Sequence, residues 1–335
     1  MKILHLSYHK GCIGHFNYVC DKLNIQCEVL SSIQECTTDK NLKSLNLPNA
    51  QHYNMTNERA KYYWDKYKDY FNKFDCIVTS DTAPLSRIFL QNNWNKKLII
   101  WICNRFDYAH GMGSGFPDKE YYYLIDNCKF RNNVTIVPNT QFEIFYCKTR
   151  GIDISKTTII KPIGLLINMG KEKTIIKDKN EVFFIPQYHN ETRMINLSNV
   201  LNHYNIKNYN NRHKGLSDLI EFKGIITIPY AWSTLALMEY ISLNLIVFVP
   251  SLQFLLSFSN LNFWHQNSNY LKDNFNLSEW YNEEHKDLLI YFDSWEDLKK
   301  KVNTLNYDKH KLKLKEFGEK HIKTTLNKWE SVLNN

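Results

Sequence analysis

The stretch Phe222–Ser251, FKGIITIPYAWSTLALMEYISLNLIVFVPS, concentrates the polar residues best suited to holding a ligand. Ile225, Ile226, Ile228 and Pro229 make a short apolar strand. Tyr230, Ser233 and Thr234 follow where a helix should begin, and Val247–Val249 form a second strand ending in Pro-Ser. Ser233, Thr234 and Glu239 therefore fall beside the crevice outside the strand ends, where open α/β sheets bind ligands. Backbone N–H groups at Ser233 and Thr234 add the anion preference of a helix N-terminus. A nucleotide fits such a place. Its phosphates call for positive charge, which Arg193 in PQYHNETR and Arg212 and Lys214 in RHKG could supply. Arginine holds two phosphate oxygens in parallel and lysine supplies a point charge, although each of these residues alone also reads as an ordinary surface residue.

Other residues suit proton chemistry. Asp81, in VTSDTAPLSR, follows the apolar strand Cys76–Thr79 at its carboxyl end; a carboxylate there can take a proton, or it can cap a helix opened by Pro84. His15 closes the loop Gly11-Cys12-Ile13-Gly14-His15 after the first strand. Imidazole suits proton transfer near neutrality, but the same residue could bind a substrate or cap the following helix. Asn104, Arg105 and Asp107 close the buried strand LIIWIC; they line a ligand site or form a local Arg105–Asp107 ion pair. The glycines of Gly111–Gly115 beside them give a loop able to move over a ligand.

The elements that must position these residues alternate. Strands at Ile3–Ser7, Cys27–Leu30, Asp75–Thr79, Leu98–Cys103 and Val134–Val137 are separated by helices at about Phe16–Leu23, Arg59–Phe71, the segment after Pro84, and Gln141–Thr149, the last closed by Gly151. This is the rhythm of a doubly wound parallel sheet. It restarts at Val182–Ile185 after a polar, Lys-rich stretch. The division expected is an N-terminal Rossmann-like domain over 1–162, a second over 163–310, and a helix over 311–335 packed back on one of them. The Asn-rich patch Asn202–Asn211 reads as a loop, and the wider abundance of Asn, Lys and Ile as a compositional bias.

Composition bounds the function. With 335 residues and 43% hydrophobic content, the chain can bury two ordinary cores. The net charge of +8 suits an anionic ligand, and the dispersal of the basic residues argues against nucleic acid as the partner. The eight cysteines lie between Cys12 and Cys147 without a Cys-x-x-Cys pair, so buried free thiols are expected, not disulfides or a zinc site. Neither a secretory signal nor a membrane-spanning run is visible, and a soluble, cytoplasmic protein is expected. Oligomeric state is left open by the sequence.

Two Rossmann-like halves, a Pro-Gly junction near Pro162 and a Ser-Thr…Glu helix in the second half resemble the GT-B glycosyltransferases, and the order of elements matches over the whole chain. The segments CNRFDY (Cys103–Tyr108) and IPYAWSTLALMEY (Ile228–Tyr240), with the Asn/Lys/Ile bias, resemble most the glycosyltransferases of large DNA viruses. The resemblance implies α/β architecture with two Rossmann-like domains facing each other across a cleft. It also implies a nucleoside-diphosphate sugar held by the second domain and a carbohydrate acceptor by the first. Glu239 would bind the ribose hydroxyls, with Arg193, Arg212, Lys214, Tyr230, Ser233 and Thr234 on the donor, and Gly14, Asn104, Arg105 and Asp107 on the acceptor. Asp81 is the favoured base and His15 its rival.

Departures from the family pattern carry information. Asn244 replaces the glycine of the turn after the donor helix, and Asn tolerates the left-handed conformation needed there. Ala231 stands where retaining members place a second glutamate, which favours inversion. Asp-x-Asp occurs nowhere in the sequence, so no required metal and no other cofactor is expected. A nucleotide-sugar epimerase of the same architecture and a non-catalytic nucleotide-sugar or glycan binder are the alternative functions.

Overall fold

The computed structural model describes residues 1–30, 55–81, 83–108, 118–164, 174–186, 195–258, 264 and 267–334. The chain divides into two compact units, Met1–Pro162 with Thr324–Asn335, and Ile163–Lys323.

In the first unit, β1 (Lys2–Leu6), β2 (Gln26–Leu30), β3 (Cys76–Thr79), β4 (Lys97–Ile102) and β5 (Val134–Pro138) form a parallel sheet in the order β2-β1-β3-β4-β5. Ile3 lies opposite Cys76, and Ile77 opposite Leu98. Ile3, Leu4, Ile77, Val78, Ile99 and Ile100 are fully buried, which is why these strands read as unbroken apolar runs and not as alternating ones. Between them run α1 (Lys10–Lys22), α2 (Asn57–Phe71), α3 (Arg87–Leu90, entered through a 3-10 turn at Ala83–Ser86), α4 (Lys119–Asp126) and α5 (Gln141–Thr149). The last helix of the chain, Tyr307–Asn334, starts earlier than its apolar spacing predicts. Its end belongs to this unit, where Trp329 meets Phe16 and Trp101 edge-on at 5.1 and 5.4 Å between ring centroids.

The second unit contains β6 (Phe183–Phe184), β7 (Asn208–Tyr209), β8 (Gly224–Ile226), β9 (Val247–Pro250) and β10 (Leu289–Phe292), again all parallel, in the order β10-β9-β8-β6-β7. Counted from its own first strand, this is the order of the first sheet repeated. In each sheet the direction of winding reverses between the first and third strands of the unit, β1 and β3 in one and β6 and β8 in the other. Crevices open at the carboxyl ends of strands at such switch points.

Two expectations are corrected. The Gly11–His15 loop is helix: α1 begins at Lys10 because His9 caps it, its Nδ1 accepting the backbone N–H groups of Gly11 and Cys12 at 3.1 and 3.4 Å. The Asn-rich patch is not a loop throughout, since Asn208 and Tyr209 form the edge strand β7. Asparagine also has a repeated structural task. The helices ending at Lys22, His203 and Ser242 each terminate with an Asn in left-handed conformation, Asn24, Asn205 and Asn244 at φ +53, +56 and +56. In each, the following apolar residue (Ile25, Ile206, Leu245) donates its N–H to the carbonyl of Cys20, Leu201 or Tyr240 at 2.9, 2.9 and 2.8 Å. These are Schellman caps with Asn in the position glycine usually takes, and each leads directly into a strand.

Candidate functional site

In the second unit, β8 delivers the polar loop to its helix. Thr227 and Ile228 stay buried, while Tyr230, Ser233 and Thr234 are half-buried. Trp232 is fully buried and anchors the loop: its carbonyl accepts from the Glu279 N–H at 2.8 Å and its ring meets Trp264 edge-on. Thr234 caps the helix Leu235–Ser242 by accepting from the Leu237 N–H at 3.2 Å. Glu239, half-buried, lies in this helix. Gly164 presses against the same helix; at φ +77, an added Cβ would come within 2.2 Å of the Met238 carbonyl and 2.5 Å of the Glu239 nitrogen. Beside it Ser242 donates its hydroxyl to the Ile163 carbonyl. The position of Glu239 is thus fixed from both ends of its helix.

Arg212 and Lys214 are exposed in the loop after β7, at the same carboxyl end of the sheet. The backbone of Lys214 is braced by buried Asp218, which accepts from the Lys214 N–H at 2.9 Å and the Thr174 N–H at 2.8 Å and is paired with Lys179. Burial alone would raise the Asp218 pKa, but Lys179 and these N–H groups outweigh it and hold the carboxyl well below its usual range. Arg193 lies outside the described residues, as does the Gly111–Gly115 loop.

In the first unit the switch-point strands carry Ser7, Tyr8 and His9 after β1 and Ser80 and Asp81 after β3. A buried chain of hydrogen bonds fixes this end: His5 Nε2 to Ser80 Oγ at 2.8 Å, Ser80 Oγ to Ser7 Oγ at 2.8 Å, and the His9 N–H to Ser7 Oγ at 3.4 Å. Burial lowers the His5 pKa to about 3 and keeps that ring neutral. Asp81 follows Ser80 at φ +67, a conformation few residues besides Gly, Asn and Asp accept. Its side chain is nearly buried, which raises its pKa, with His9 acting in the opposite direction. Its charge is also felt by Tyr108 and by the thiols of Cys12 and Cys103. A carboxylate that is strained in backbone, short of water and raised in basicity has the properties of a general base.

His9 is the residue that reading from the sequence missed, although it satisfies the criterion applied to Asp81: a polar residue just past the carboxyl end of a switch-point strand. Because Nδ1 accepts two N–H groups, the neutral ring carries its proton on Nε2, and in this rotamer His9 is a donor beside the Asp81 carboxylate.

Other expectations are corrected. His15 is a core residue of α1, 2% exposed; its Nε2 accepts from the Trp329 indole at 3.1 Å and its ring lies tilted at 4.7 Å from that of Trp101. A helix start six residues earlier than a start at Phe16 carries its side chain inward, which removes it as a base exposed to substrate. Gly14 lies half-buried in the same helix and lines no loop. Arg105 and Asp107 are buried, and each is held by a residue of a different helix. Arg105 Nη2 lies 3.0 Å from Glu143 Oε1 and its guanidinium covers the Phe142 ring, while Asp107 accepts from the Tyr122 hydroxyl. Desolvation, against the pull of Arg105, pushes the Glu143 carboxyl up to about 7. Asn104, half-buried, accepts from the Arg105 N–H at 3.0 Å and so holds this cluster at the end of β4.

Comparison with known proteins places the fold. No family model and no curated sequence matches the chain. Solved structures do match over its full length. UDP-GlcNAc 2-epimerase from Neisseria meningitidis, bound to UDP-GlcNAc, has a TM-score of 0.54 and 14% identity, covering 98% of this chain and 100% of that one. CalG4, the calicheamicin glycosyltransferase, has a TM-score of 0.51 at 9% identity, covering 100% and 98%. Anabaena HepE in complex with UDP gives 0.51 at 10% identity, covering 100% of both chains. The fold is GT-B. At these identities the likeness is one of architecture, and the chemistry has to come from this chain's own residues.

Proposed function

We propose that this protein is a glycosyltransferase that moves a sugar from a nucleoside-diphosphate sugar to a carbohydrate acceptor with inversion and without a required metal. The observation that carries the reading is Asp81: a desolvated carboxylate in left-handed conformation at the switch point of the first sheet, beside a histidine. In the proposed step Asp81 takes the acceptor hydroxyl's proton as that oxygen attacks the anomeric carbon, and the bond to the diphosphate breaks on the opposite face. His9, as an Nε2–H donor, orients the acceptor or the carboxylate. The leaving diphosphate is drawn to Arg212 and Lys214 and to the N-terminus of the helix capped by Thr234, and Glu239 accepts from the two ribose hydroxyls. Asn104 remains a proposed acceptor contact. Uridine diphosphate is the first nucleotide to test, because the epimerase and HepE structures hold UDP-GlcNAc and UDP.

A thermal-shift screen of UDP-, GDP- and dTDP-sugars, followed by product analysis with a panel of glycan acceptors in chelator, tests the reading. It expects preferential stabilisation by one nucleotide class and a glycoside of inverted anomeric configuration. Donor turnover without any acceptor would instead support the epimerase, and donor binding without turnover of any kind a binding protein.

A further inference from the structure

A cavity lies at the other end of the second sheet. The strands of that sheet are parallel, so their amino ends share one side, opposite the loops that carry Tyr230, Ser233 and Thr234. On that side Glu181 comes just before β6, Lys207 before β7 and Lys223 before β8. The ladder holds these strand starts next to one another: the Phe183 N–H donates to the Lys207 carbonyl and the Lys223 N–H to the Val182 carbonyl, both at 2.9 Å. The helix Trp295–Thr304 adds Lys299 and Val302. Together they bound about 260 Å³, with buried Phe183, Ile206 and Val302 as its apolar wall. Lys223 and Thr227 bracket β8 and stand roughly 13 Å apart at about 3.3 Å per residue, which separates the cavity from the candidate donor residues.

The charge of this cavity is positive. Lys207 is paired with Glu181, so these two leave no net charge. Lys223 holds its ammonium 5.4 Å from the Phe183 ring centroid and 5.0 Å from that of Tyr307, and neither Lys223 nor Lys299 has a carboxylate partner among the described residues. The Glu296 carboxylate, on the same helix as Lys299, is engaged by the Tyr204 hydroxyl at 2.5 Å. The carboxyl ends of the helices Leu197–His203 and Trp295–Thr304 also border the cavity, but each carries only about half an elementary charge, so the balance stays positive. Two lysine charges suit a phosphate monoester, which bears about −1.5 to −2 at neutral pH, better than a single carboxylate. The apolar wall calls for a carbon skeleton, and Asn205 and Asn303 at the rim offer hydrogen bonds to hydroxyls. The volume is below the usual range for ligand pockets, about 300–1,000 Å³, which leaves room for a small ligand and none for a whole nucleotide sugar.

We propose that this cavity binds a small phosphorylated sugar at a site separate from the proposed donor site, with the phosphate between Lys223 and Lys299 and the carbon skeleton against Phe183 and Val302.

The site does not depend on the transferase reading, and its readout is binding. The full chain is titrated with glucose 1-phosphate, glucose 6-phosphate and ribose 5-phosphate, and with glucose and inorganic phosphate, by ligand-observed NMR with and without saturating UDP. At least one of the three esters should bind more tightly than inorganic phosphate, glucose should not bind, and UDP should leave the ester's affinity unchanged. Binding should weaken as pH falls through about 6, where the ester takes up its second proton. Lys223→Gln and Lys299→Gln, each melting like the parent, should each weaken it about tenfold or more. Lys299 is exposed, so its variant decides the matter even if Lys223→Gln folds poorly. No ester bound at up to about 10 mM, displacement of the ester by UDP, or unaltered affinity in a folded lysine variant overturns the site. Inorganic phosphate bound as tightly as every ester overturns the sugar assignment. UDP that binds nowhere counts against the transferase reading and leaves the ester titration intact.

Discussion

A buried acid and a buried base titrate in opposite senses in the first unit, and the sign of each is set by burial. Glu143 is raised to about 7 by desolvation, so its protonated form stabilises the native state fully below its unfolded value, and that stability is lost as pH rises through the folded value. Replacing Glu143 with Gln removes this dependence. The unfolding free energies of parent and Glu143→Gln, measured by denaturant melts, should therefore diverge in favour of the variant between about pH 4.5 and 7, by up to about 1.4 kcal/mol per unit. His5, neutral by burial, lowers stability on acidification equally in both proteins and cancels. Parallel curves would show that Glu143 is ionised throughout. At this scale the sequence was a partial guide. Asp81 could be singled out by its place after a strand, but Glu143 could not, because its importance comes from Arg105 reaching it across the fold. The neighbouring Asp107 was the partner that sequence proximity suggested.

Helix ends decide how the site loops are aimed. With Asn244 at φ +56 and Leu245 bonded to Tyr240, Asn244→Ala places a Cβ in the conformation that disfavours it and should lower stability by about 1 kcal/mol, while Asn244→Gly should be neutral or stabilising. Chemical denaturation of the pair checks this; equal losses would remove the cap argument. The three segments Leu23-Asn24-Ile25, Tyr204-Asn205-Ile206 and Leu243-Asn244-Leu245 show that the caps were legible, since an Asn before an apolar residue at a helix end is a stop signal. Compositional abundance concealed two of them, and only Asn244 was read correctly. The start of α1 was not legible because histidine is an unusual cap. A second element-level prediction concerns Gly164. Gly164→Ala must move the helix Leu235–Ser242 or break its own backbone geometry, so the variant should melt lower and bind a UDP-sugar at least about tenfold more weakly. Unchanged binding would separate Gly164 from the placement of Glu239.

Across the whole molecule, one topology is used twice, and each copy sets its candidate residues at its own switch point. That repetition was readable from the strand and helix rhythm because parallel strands covered on both faces leave long apolar runs. The long final helix belongs to both units, with Thr324 onward in the first. Trp329, fully buried against Phe16 and Trp101 and bonded to His15, makes that end part of the first core. Trp329→Ala should cost about 3–5 kcal/mol, seen as a large fall in melting temperature. A melting temperature within a degree or so of the parent's would show the helix end to be dispensable. The central claim is that the two copies divide the labour, the second holding the donor and the first removing the acceptor's proton through Asp81. Asp81→Asn tests it most directly, since Asn accepts the left-handed backbone while losing the base. Turnover and UDP-sugar affinity are measured side by side across pH. The account expects turnover to fall by about 10²–10⁴ with affinity unchanged, and the parent's rate to decline on acidification through a pKa above that of an ordinary aspartate. Turnover preserved in Asp81→Asn, or lost together with donor binding, would contradict it.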